Sequence, residues 1–180
     1  MGIVHRAAPC RNVPVTFTLD RMEYRILPAV VTFAETARGF CAWCEGEGSL
    51  RDAQAANWLC QLYGQALVLP SVEPENEEGL PDIPPAVLAR ATRNLAVFNG
   101  RYYREVFDPD PMLDEPPVMG DLGNDLLDTY EDIRRGLIVF ERGETAEALW
   151  HWSFLHRIHW GRHCVGALMG LHGLSLSKED

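Results

Sequence analysis

No apolar run in the chain approaches the ~18 residues that a membrane-spanning helix requires. Basic residues are in deficit, with 16 Lys and Arg against 26 Asp and Glu and a net charge of −10. Nucleic acids and anionic lipid surfaces both draw their affinity from Lys and Arg, so neither is an expected partner. Five cysteines make an odd count without framework spacing, which points to a reducing, cytoplasmic setting rather than a disulfide scaffold. No stretch alternates at period two, so strands are not expected. There is no Walker loop, no Gly-x-Gly-x-x-Gly and no Gly-x-Ser-x-Gly nucleophile elbow. The Glu-x-x-His of bundle metal sites and the His-Glu-x-x-His of zinc hydrolases are missing too. Val13–Leu19 is too short and too polar for a signal-peptide core, and no internal repeat is present.

What is there is helical. At 180 residues, with 47% hydrophobic and 23% charged residues, one domain with a sizeable core is the expectation. Pro28 suits a first helical turn, and apolar positions from Val30 to Cys44 carry a helix to about Glu45, before Gly46. Ser49-Leu-Arg-Asp52 resembles a capping box for a second helix that stops before Pro70. Residues 70–85 hold five prolines and five acids, an irregular acidic loop read first as a solvated linker. A third helix spans about Pro85–Asn99 and is closed by Gly100. A fourth spans about Asp121–Arg142 and ends at Gly143, and a fifth runs from about Thr145 to Leu171. The expected fold is therefore all-α, an irregular bundle of about five helices in a single domain over residues 23–174. Residues 1–22 read as a loose arm, with Met22 offering an alternative start, and 175–180 as a tail.

Two constellations could carry chemistry. The run Trp150–His163 packs three of five tryptophans and four of six histidines into the last helix. At about 100° per residue, Trp152, His156, His159, Trp160 and His163 fall within roughly a quarter of its circumference. The opposite side carries Trp150, Phe154, Leu155, Ile158, Val165, Leu168 and Met169, so this helix is expected to be central to the core, with Trp152 and Trp160 buried. His156, His159 and His163 have ligand-compatible spacing, although histidines are more often plain core or surface residues. The fourth helix places Asp121, Asp125, Asp128 and Asp132 within about 60° of one another. Such a stripe could hold a divalent cation or a cationic ligand. Its plainer readings are a solvated face and acids complementing the helix dipole. Cys41-Ala-Trp-Cys44 sits in a last helical turn with no second Cys-x-x-Cys, so its thiols read as small buried hydrophobes. Glu75-Asn-Glu-Glu78 and Asp125-Leu-Leu-Asp128 together resemble the acidic pairs of all-helical nucleotide pyrophosphatases. The first pair departs from that pattern by lying in a loop.

Several segments in order resemble the bacterial family of domains of unknown function numbered 5063. They are Phe40-Cys-Ala-Trp43, Leu69–Gly79, Tyr103–Pro109, Asp125–Asp132, and Ala148-Leu-Trp150 with His159-Trp-Gly161 running on to Ala167–His172. The resemblance covers roughly residues 28–172. It implies an all-helical fold and brings no activity, ligand or catalytic residue. It adds weight to the acidic loop, to Tyr103, Glu105 and Asp108, and to Asp125, Asp128 and Asp132. The family pattern often has Tyr before Trp-Gly and Gln or Lys after Gly-x, where this chain has His159 and His163. A histidine site there would belong to this member rather than to the whole family.

The function expected from these residues is a non-catalytic binding or accessory module for an unknown protein or small-molecule partner. Its recognition patch would draw on Tyr103, Glu105, Asp108, Asp125, Asp128, Asp132 and Trp160. No cofactor is expected, beyond a divalent metal at Asp125, Asp128, His156, His159 or His163. The alternative is a divalent-metal-dependent hydrolase acting on a nucleotide-type substrate. In it Asp125, Asp128 and Asp132 would be ligands, with Glu75 or Glu78 folding over from the loop.

Overall fold

Proline presets φ near the helical value and lacks an N–H that a first helical turn would leave unpaired anyway. The long helix α2 accordingly starts at Pro28 and runs to Glu45, the expected span. A computed structural model describes residues 21–74, 79–106 and 108–176 of the chain. Before α2 comes a short helix α1 (Arg21–Ile26), beginning inside the stretch expected as a loose arm. After it come α3 (Asp52–Ala66) and α4 (Pro85–Leu95), the latter followed by a 3-10 turn at Ala96–Phe98. A hairpin of β1 (Tyr102–Glu105) and β2 (Val118–Asp121) precedes α5 (Leu122–Glu141). The chain ends in α6 (Thr145–Ile158), α7 (Trp160–Leu171) and a π-turn, His172–Leu176. Gly100 and Gly143 adopt φ of 73° and 90° and so end their segments as expected. The reach-back cap of α3 lies later than expected, with Arg51 N–H donating to Gln54 Oε1 at 3.2 Å.

The expectation of a mostly helical chain holds, with three corrections. The described residues form seven α-helices rather than five. They also form two strands where none was expected, paired antiparallel with Tyr102 opposite Asp121 and Glu105 opposite Val118. Four-residue strands are too short to show a period-two pattern, and their ends are joined through a Pro/Asp-rich loop. Third, the last helix is broken. His159, at φ −143° and ψ −90°, separates α6 from α7.

The break has a local cause. The Trp160 indole N–H donates to the carbonyl of Trp152 at 3.0 Å, while His159 N–H still closes the last turn of α6 on Leu155 at 2.8 Å. Gly161 brings the first turn of α7 so close that a Cβ there would overlap the His156 carbonyl oxygen. Both tryptophans are thereby turned inward, each at 0% exposure. Phe33 of α2 packs on both, at ring distances of 4.8 Å to Trp152 and 6.4 Å to Trp160. Leu126 and Phe98 are buried in the same core, as expected.

The side expected to be apolar and covered is only partly so. Ile158, Val165 and Met169 are exposed, while Trp150, Phe154, Leu155 and Leu168 are half-buried. Helix α5 takes the central place instead, packed against α2, α4, α6 and α7. It admits Trp152 at Gly136, where a Cβ would overlap the indole, and the Trp152 N–H donates to the Ile133 carbonyl at 3.2 Å.

Two substitutions read this packing. Trp160→Ala should cost about 3–5 kcal/mol in urea unfolding if the site cannot collapse. Gly136→Ala should cost about 1–3 kcal/mol by overpacking against Trp152. A loss below about 1 kcal/mol for Trp160→Ala would mean that the indole does not fill the core.

Candidate functional site

Three glycines decide where the site lies. Tyr103 of β1 threads between β2 and α7 because Gly120, Gly166 and Gly170 have no side chains there. A Cβ on any of them would overlap the Tyr103 ring or hydroxyl. So seated, the Tyr103 hydroxyl donates to Asp125 Oδ2 at 2.7 Å, a buried hydrogen bond. Burial and the adjacent carboxylate push the phenol well above its ordinary value, so it remains a donor.

The acid stripe of α5 is not a solvated face. Asp121 is the N-cap of the helix, accepting from Gly123 N–H at 2.8 Å, Asn124 N–H at 3.3 Å and Gly100 N–H at 2.7 Å. Asp125 and Asp132 are 4% and 5% exposed. Each holds a histidine of the α6–α7 region by Nδ1. His163 Nδ1 is 2.9 Å from Asp125 Oδ1, and His159 Nδ1 is 2.6 Å from Asp132 Oδ2. The two imidazoles lie edge to face, 4.8 Å apart. Asp128 is half-buried. Its Oδ2 accepts from Asn124 Nδ2 at 2.7 Å and stands 3.5 Å from His163 Nε2.

Arg134, Arg135 and Arg101 are engaged away from the stripe. Arg134 meets Glu45 at 3.0 Å and Arg135 meets Glu131 at 2.6 Å. Arg101 forms a two-point pair with Asp52, at 2.6 and 2.7 Å, and also meets Ser175. The acids are relieved by histidines instead.

The hydrogen bond to Asp125 raises the His163 pKa above its ordinary 6.5, against the opposing pull of burial. Asp128, His159 and His163 each offer one ligand atom, a carboxylate oxygen and two ring nitrogens, and these lie within 4.8 Å of one another. A carboxylate that fixes one ring nitrogen leaves the other free for a metal, the usual second layer of a histidine–metal site. Glu105 borders the cluster and is held by Arg162 Nε at 3.2 Å.

The other expected residues fall into three groups. Trp160 and Tyr103 are buried, so neither ring belongs to a recognition surface. His156 does not join His159 and His163. The break turns it toward Tyr63 and Trp160, each 4.8 Å away, and burial lowers its pKa. Asp108 is exposed in the hairpin loop, where its Oδ1 accepts from Asp110 N–H at 2.9 Å. Glu75 and Glu78 lie outside the described residues. Cys41 and Cys44 are buried free thiols whose pKa burial raises, in keeping with the structural reading.

A family profile described as Domain of unknown function (DUF5063) matches residues 26–177. The chain belongs to the DUF5063 family. A solved structure, protein BF1032 from Bacteroides fragilis, is similar to this DUF5063 chain with a TM-score of 0.68 and 22% identity. The likeness covers 87% of this chain and 98% of that one, and at this identity it shows the fold alone. None of the curated proteins compared with the chain matches it. No helix among the described residues is long and apolar enough to cross a membrane.

Two expected outcomes read the metal-free network. Tyr103→Phe leaves Asp125 Oδ2 without its donor and should cost about 1–3 kcal/mol. A neutral effect in urea unfolding would contradict the buried bond. His163 has a raised folded pKa, so its stabilising contribution is full below about pH 6.5 and is lost as pH rises through the folded value. The stability gap between the parent and His163→Gln in EDTA should therefore shrink from pH 6 to pH 8.5. A gap that widens over that range would reverse the assignment.

Proposed function

We propose that this DUF5063 member binds a divalent first-row transition metal through Asp128, His159 and His163. The observation that carries the reading is the pair of buried carboxylates, Asp132 and Asp125, each fixing one imidazole by its Nδ1 beside a third, half-buried carboxylate. Imidazole nitrogens with one carboxylate suit zinc, iron(II) or manganese(II) better than magnesium or calcium, which take oxygen ligands. This keeps the binding-module expectation and makes a metal its ligand. It also moves Asp125 and Asp132 from the role of ligands to that of supports. Unpaired buried thiols suit a reducing cytoplasm, the compartment proposed for it.

A second reading, a metal-dependent hydrolase, is favoured by the ligand count. Three protein ligands leave positions for water and substrate, the mark of catalytic rather than structural zinc sites. In that reading the metal supplies a Lewis acid and an acidified water. The protein's share is to orient two imidazoles and one carboxylate.

Thermal unfolding with zinc(II) or manganese(II), with magnesium as the contrast expected to do little, tests the binding reading. At a metal concentration of about 100 Kd, the parent should gain roughly 2.7 kcal/mol, or about 5–10 °C in Tm. Asp128→Asn keeps the hydrogen bond from Asn124 and should leave metal-free stability unchanged while abolishing most of the gain. A parent that gains nothing, or an Asp128→Asn protein that gains as much, would contradict the proposal.

A further inference from the structure

A cavity of about 720 Å³ opens on the outer side of α7, within the usual size range of small-molecule pockets. Its wall carries three guanidinium groups, Arg104 of β1, Arg157 of α6 and Arg162 of α7. The carboxylate among its lining residues, Glu105, is already held by Arg162. That sign of charge is out of character for a chain with a net charge of −10. Arg104 and Arg157 are exposed and have no carboxylate partner among the described residues.

Between the arginines the surface is apolar. Val106, Val165 and Met169 are 52%, 48% and 49% exposed, an unusual grouping for side chains of this kind on one wall. Tyr63 adds an aromatic side chain, and the Nε2 of His156 is buried there without a hydrogen-bond partner among the described residues. Arg162 and Glu105 also line the small opening over His159 and His163, so the cavity adjoins the histidine–carboxylate cluster.

We propose that this cavity binds an organic anion, a phosphate ester or carboxylate carrying an aromatic or aliphatic body of moderate size. Guanidinium groups match the planar, two-point geometry of phosphate and carboxylate oxygens, and an apolar floor accepts the body. A nucleic-acid strand or a membrane would need a far wider basic surface than three residues. Binding in the cavity stands apart from the metal. Only its role as a substrate pocket rests on the metal reading.

The experiment is calorimetric titration in EDTA with 1-naphthyl phosphate, 1-naphthoate, 1-naphthol and inorganic phosphate. The two naphthyl anions should bind saturably, and at least about tenfold more tightly than 1-naphthol or inorganic phosphate. The tighter of the two names the headgroup. Arg104→Gln and Arg157→Gln should each weaken binding about fivefold without altering the circular dichroism spectrum. The inference is overturned if no naphthyl anion binds up to millimolar concentration. It is overturned equally if the arginine variants bind as the parent does, or if inorganic phosphate alone binds as tightly. A protein that binds the probe but no manganese(II) keeps the cavity and loses the metal site. One that binds manganese(II) but no probe keeps the metal site and loses the cavity.

Discussion

Asp125 is a carboxylate at 4% exposure, and removing a charge from water is tolerable only where hydrogen bonds replace its hydration. Its two oxygens draw on two different elements, Tyr103 of β1 and His163 of α7, while its backbone belongs to α5. One side chain thus ties the hairpin to the end of the chain across the central helix. About two helical turns further along α5, Asp132 holds His159 at the break between α6 and α7. The satisfaction of these two carboxylates fixes the positions of both imidazoles. Everything proposed about the site follows from that requirement.

Steric room makes the arrangement reachable. Tyr103 could not deliver its hydroxyl if Gly120, Gly166 or Gly170 bore a side chain, and Trp152 could not lie on α5 without Gly136. The glycines in the middle of helices are accordingly a packing signal. They weaken their helices by up to ~1 kcal/mol each relative to alanine and are retained where two elements must touch.

Much of the fold was legible in the chain because helix ends are written locally. Pro28, Pro85, Gly100 and Gly143 mark boundaries that the structure keeps. The burial of Trp152 and Trp160 was legible from their shared face. The break at His159 was not, because heptad-like spacing continues through it and its cause, a tryptophan N–H taking a carbonyl two turns back, is tertiary. Gly161 beside Trp160 was the one available sign. The acid stripe was found, but spacing along one helix does not say whether it meets arginines or the histidines of the last helix. A stripe of acids on one helix and a stripe of histidines on another are complementary, and tertiary packing alone selects that pairing over one with arginines. The arginine-lined cavity had no signal at all, since Arg104, Arg157 and Arg162 come from three elements with no shared spacing.

The cluster therefore reads as a prepared ligand set, with two imidazoles oriented from behind by buried acids and one carboxylate left half-buried beside them. The claim on which this depends is a tautomer: each Nδ1 carries the proton toward its aspartate, and each Nε2 is left bare. Long-range proton–nitrogen correlation NMR of metal-free protein, at a pH where both imidazoles are neutral, reads this directly. His159 and His163 should both appear as the Nδ1-protonated tautomer. Predominance of the Nε2-protonated form at either residue would contradict the account.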